Sequence, residues 1–96
     1  MKAKAFSNNQ EIELKPFIED YVAEVFAAAI KPLKGVENPK VMEFVIKGRK
    51  IEIKTDSKTI EFFGFAKVIV TDTLTATLKH LKGFSEDGEI KIVIES

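Results

Sequence analysis

Apolar and polar residues alternate from the first residues of the chain. Ala3 and Ala5 fall on one face of an extended segment and Lys2 and Lys4 on the other. A polar pair, Asn8-Asn9, follows, and residues 11–14 alternate again. The same order returns further on. Ile51 and Ile53 alternate with Lys50, Glu52 and Lys54; then come Asp56-Ser57 and an alternating stretch at residues 59–62. Asn, Asp and Ser tolerate left-handed backbone, so each polar pair suits a two-residue hairpin loop. The pairing this predicts sets Ala5 against Ile12, Ala3 against Leu14 and Lys4 against Glu13. In the second hairpin it sets Ile53 against Ile60 and Ile51 against Phe62. Apolar meets apolar in both, as a one-sided sheet requires. Glu52 opposite Glu61 is a small like-charge cost.

Helical periodicity follows each hairpin. Residues 16–33 and 64–81 are predicted helices. Pro16 suits a first helical position, and neither start offers a capping side chain. Gly35 and Gly83 suit left-handed positions after the helix ends, and Lys31, Lys34, Lys79 and Lys82 complement the helix dipole there. Pro32 should end the first helix early. Each half closes on a strand: Met42, Phe44 and Ile46 alternate with Glu43, Val45 and Lys47, and Ile90, Ile92 and Ile94 with Lys91, Val93 and Glu95. Gly48-Arg49 reads as a tight turn setting Ile46 against Ile51, Phe44 against Ile53 and Glu43 against Lys54.

The recurrence is an ungapped repeat. Residues 1–48 laid on residues 49–96 give twelve identities, among them Phe17/Phe65, Val22/Val70 and the run Leu33-Lys34-Gly35 on Leu81-Lys82-Gly83. Ordinary residue usage would give about three. The repeat decides one ambiguous segment. Residues 66–75 are rich in Val, Ile and Thr and look like a strand, yet the matching residues 18–27 read as helix, so both are taken as helical. The expected fold is α+β: a single domain, residues 1–96, built from two ββαβ repeats, 1–48 and 49–96. A pseudo-twofold relates them, and one antiparallel sheet carries both helices on one face. The last strand should pair with the first. If residues 11–14 and 59–62 are not strands, the same duplication gives a ferredoxin-like βαββαβ domain. The predicted core sets Met42, Phe44, Ile46, Ile51, Ile53, Ile90, Ile92 and Ile94 against Val22, Val25, Ala29, Leu33, Val70 and Leu81.

Composition narrows the function more by exclusion than by assignment. Fifteen basic residues balance fifteen acidic ones, seven against seven in the first half and eight against eight in the second, so the net positive surface of a general nucleic-acid binder is lacking. The predicted open sheet face offers one aromatic, Phe6, where RNA-binding sheets stack bases on two or three. Cysteine is absent, and the single histidine, His80, has no second strong ligand near it in sequence, so no metal or cofactor is expected. The matched acids Glu24 and Asp72 sit beside lysines at helical spacing and read as solvated helix faces. The five glycines form no phosphate loop. No signal peptide or membrane-spanning run is readable, and the reading is cytoplasmic.

One excess remains. On a helical wheel the first helix is apolar over about half its circumference, from Phe17, Ile18 and Tyr21 to Ala28 and Leu33. A core-facing stripe needs only somewhat over 100°. Ala23, Ala27, Ile30, Val68 and Leu78 lie at or beyond its edge and are the candidate association surface. The alternative is that Phe26, Ile30, Leu74 and Leu78 meet each other between the helices and are used up in the internal core. The function expected is a non-enzymatic protein-association or oligomerisation module, with a second copy (a homodimer) or another protein as partner. The rival is a small-molecule sensor, or an enzyme with its site at a subunit interface.

Overall fold

A computed structural model describes residues 2–33, 35–48, 50–79 and 88–95. The chain begins with β1 (Lys2–Ser7), turns at Asn8 and Asn9, and returns as β2 (Gln10–Ile12). Both turn residues are left-handed, with φ of 50° and 69°. The second hairpin, β4 (Lys50–Thr55) and β5 (Lys58–Ile60), turns at Asp56 and Ser57, with φ of 48° and 70°. Ala5 opposes Ile12 and Ile53 opposes Ile60. Both return strands stop there, so the expected pairs Ala3–Leu14, Lys4–Glu13 and Ile51–Phe62 do not form, nor does the unfavourable Glu52–Glu61 pair. Glu52 instead meets Lys54 across 3.4 Å, an exposed pair worth little. Short as they are, β2 and β5 are strands, so the condition for the ferredoxin-like alternative is not met.

Helices α1 (Pro16–Ile30) and α2 (Gly64–Leu78) start without a side-chain cap and end three residues before the expected positions. For α1 the reason is Pro32, whose ring cannot continue the helix. Two tight turns follow: Leu33 N–H donates to Ile30 O and Val36 N–H to Leu33 O. Gly35, φ +92°, therefore lies inside the second of these turns and not directly after the helix. Lys31 and Lys79 flank the helix ends, and neither last turn carries a basic residue. Gly83, Leu81, Lys34, Lys82 and His80 lie outside the described residues.

β3 (Val41–Lys47) and β6 (Glu89–Glu95) complete a six-stranded antiparallel sheet of order β2-β1-β6-β3-β4-β5. The β3–β4 register is the expected one, Ile46–Ile51, Phe44–Ile53 and Glu43–Lys54, and β6 does pair with β1. The central β3–β6 pairing was not foreseen. It joins the two three-stranded halves edge to edge. One apolar row then crosses the whole sheet: Ile12, Ala5, Ile92, Phe44, Ile53 and Ile60.

That face forms a single core with Val22, Ala23, Phe26 and Ile30 of α1 and Val70, Leu74 and Leu78 of α2. The Phe26 and Phe44 rings meet edge-on at 5.0 Å, a contact worth about 0.5–1.5 kcal/mol beyond area burial. Helix α1 packs on β1 and on α2. Volumes trade between layers: β1 offers Ala3 and Ala5 where β4 has Ile51 and Ile53, while α1 offers Phe26 and Ile30 where α2 has Leu74 and Leu78. Swaps that conserve total volume keep a core well packed. Three expected core residues, Val25, Ala29 and Leu33, are only partly buried, as is Ile51. The helix is rotated from the expected orientation by about 70° on the wheel, so that Val22 stays buried while Ala23, Phe26 and Ile30 replace the others. Depth over the β1 alanines is filled by the Phe26–Ile30 side of α1, and Glu19 turns inward far enough for its Oε2 to accept from Ala3 N–H at 3.3 Å.

Candidate association surface

Rotation of the helices decides what they show to solvent. Ala23, Ile30 and Leu78, three of the five residues expected on the association surface, are 1%, 0% and 0% exposed. They are core residues, because the side of the helix that carries them faces the sheet. Ala27 is partly buried, and Val68 is exposed at 55%. Phe26 and Leu74 are also fully buried.

The outward ridge is occupied by larger side chains than the sequence suggested. Phe17 and Tyr21 of α1 are exposed at 75% and 53%, and their rings stand 6.3 Å apart. Phe65, Val68 and Ile69 of α2 are exposed at 78%, 55% and 49%, and Phe63, just before the helix, at 75%. Phe65 and Ile69 stand 48 residues after Phe17 and Tyr21, the offset of the sequence alignment. The sequence did hold the signal. Phe17/Phe65 is one of the twelve identities, but the wheel counted those positions toward the core because large aromatics are usually buried there. Together the six side chains present on the order of 600 Å² of apolar surface. Exposed patches beyond a few hundred Å² mark interaction sites in soluble proteins.

Two open grooves flank the helices. One, about 850 Å³, runs between the turns after α1 and the start of α2, lined by Pro32, Leu33, Ile60, Phe62, Phe63 and Ala66 with Lys58 and Glu61 at its margin. The other, about 730 Å³, lies between α1 and the segment leading to β3, where Ala27, Ala28, Val36 and Met42 meet Glu24, Lys31 and Glu37. A smaller cleft of about 360 Å³ beside β1 and β2 is lined by Lys2, Lys4, Glu11, Glu13 and Glu19. Glu24 and Asp72 are exposed on the outer helix faces. Among the described residues no group of three or more His, Cys, Asp or Glu side chains is placed to hold a metal ion. No helix among them is long and apolar enough to cross a membrane.

The opposite sheet face is mixed. Val45, Val93 and Phe6 are half-buried among Lys4, Glu43, Glu52, Lys54 and Lys91. Glu43 pairs with Val93 and Lys54, and Lys91 with Val45 and Phe6, so charges and apolar groups interleave. Comparison with protein-family models, with curated proteins and with solved structures finds no match for this chain.

Proposed function

We propose that the chain is an internally duplicated, non-enzymatic association module that pairs with a second copy of itself through the outer face of its helix layer. Three features support the duplication. The twelve ungapped identities come first. The strand order also reads the same from either edge once each element is exchanged for its counterpart in the other half. Loop hydrogen bonds repeat as well: Asn8 N–H donates to Glu89 O at 2.9 Å, and its counterpart Asp56 N–H donates to Val41 O at 2.9 Å.

The observation that carries the association reading is the exposure of Phe17, Tyr21, Phe65 and Ile69, large apolar residues at matched positions of both helices. Their area, with Phe63 and Val68, approaches the ~800 Å² per partner of a standard interface. A second copy is the occupant favoured by charge. Each half of the chain is electrically balanced, so copies meet without long-range repulsion. The test is sedimentation velocity from about 5 µM to about 1 mM, a span that brackets association of moderate strength. A sedimentation coefficient that rises with concentration supports the proposal. A constant monomer value over the whole range refutes it.

A further inference from the structure

The two hairpin tips are tied to neighbouring backbone by bonds of unequal chemistry. Asn8 Oδ1 accepts from Glu89 N–H at 3.0 Å. The Asn8 amide lies so close to Gly88 that a Cβ there would stand 2.9 Å from Nδ2. Asp56, 48 residues further on, grips two main-chain nitrogens. Its Oδ1 accepts from Val41 N–H at 3.0 Å and from Lys40 N–H at 3.1 Å, and its Oδ2 lies 3.3 Å from the same Lys40 nitrogen. Asp56 N–H in turn donates to Val41 O at 2.9 Å. Bonds to a charged acceptor are roughly twice as strong as those to a neutral one.

The stronger grip falls on a loosely built segment. Residues 36–40 run from the turns after α1 to the start of β3 and belong to no helix or strand. Glu37, Asn38 and Lys40 are exposed, and Asn38 takes the chain through a left-handed corner with φ of 40°. At the near end Val36 N–H reaches Leu33 O at 3.2 Å. At the far end the Asp56 carboxylate holds Lys40 and Val41. Between these ends Val36 and Pro39 are half-buried and, with Met42, face Ala27 and Ala28 of α1 across the groove of about 730 Å³. Few buried side chains and exposed main-chain hydrogen bonds are the marks of a segment that opens locally.

We propose that residues 36–40 form a strap that opens as a unit while the sheet stays folded, with Asp56 as its latch. Opening releases the Lys40 and Val41 N–H groups and moves one wall of the groove, while the strand pairs from Met42 onward remain. Asp56 does not line the groove. It is a positioning residue that sets the groove's shape through the strap.

Native-state hydrogen exchange of the whole chain at low denaturant tests this. Wild-type Lys40 and Val41 amides should exchange at a rate independent of denaturant, whereas the Phe44 and Ile92 amides follow global unfolding. Asp56→Gly keeps the left-handed turn and removes the carboxylate. It should speed exchange at Lys40 and Val41 by about tenfold or more, the effect of losing a charged acceptor. Asp56→Asn, which places there the residue type found at position 8, should recover part of the lost protection. A denaturant slope at Lys40 and Val41 equal to that at Phe44 overturns the proposal, because the strap would then open only with the whole domain. Wild-type exchange rates at Lys40 and Val41 in Asp56→Gly overturn the role of Asp56 as latch.

Discussion

Phe44 and Gly64 show how closely single residues are constrained. Phe44 is fully buried on a central strand, with Ile92 and Ile53 beside it and Phe26 edge-on above. Phe44→Ala should cost about 3–5 kcal/mol by transfer and cavity terms, measured by urea unfolding; a loss under about 1 kcal/mol would mean that the side chain is not in the core. Gly64 is a backbone constraint. It starts α2 with φ +62° and has no atom near its missing Cβ. Gly64→Ala should therefore destabilise by about 1–2 kcal/mol through left-handed strain alone, with no clash to relieve; an unchanged midpoint would contradict this. The counterpart residue, Pro16, opens α1 without that need, so the requirement for glycine was not visible from the repeat. At the hairpin tips, by contrast, Asn8-Asn9 and Asp56-Ser57 announced their left-handed turns, because side-chain chemistry and backbone conformation agree there.

Among the elements, strands were more legible than helix faces. Strict alternation fixes which side of a strand is buried, and a one-residue slip would have exposed every isoleucine of β6. The registers of β3–β4 and of both hairpins followed from that together with the two-residue turns. A helix apolar over half its circumference has no such internal check. Its rotation is set by what lies beneath, here the small Ala3 and Ala5 of β1, and that is a tertiary fact. The Ala23 side therefore went to the core and the Phe17–Tyr21 side to solvent. The identity of α2 was ambiguous in sequence because of its threonines, and alignment with residues 18–27 decided it correctly as helix. Those threonines remain a local cost. Thr73 is exposed on α2, so Thr73→Ala should stabilise the domain by about 0.5 kcal/mol through helix propensity. A rise in the denaturation midpoint with unchanged slope is the expected result; a fall would show that the Thr73 side chain has a role in packing.

At the scale of the molecule, the sheet was legible in its halves but not in their junction. Each half predicts a three-stranded set, and pairing of β6 with β1 was expected to close it; the pairing of β3 with β6 that makes one continuous sheet has no local signal in either strand. The core lies on one side of this sheet, under both helices, and the other side is a mosaic of valines and paired charges. Large unpaired apolar residues among the described residues concentrate on the helix layer. Association should therefore use that layer and leave the open sheet wet. A dilution series of amide chemical shifts tests this most directly, from about 1 mM down to the low micromolar range where moderate dimers dissociate. Concentration-dependent shifts are expected at Phe17, Tyr21, Phe65, Val68 and Ile69, with Val45 and Val93 unmoved. Shifts that do not change with concentration, or that change on the Val45–Val93 face alone, would contradict it.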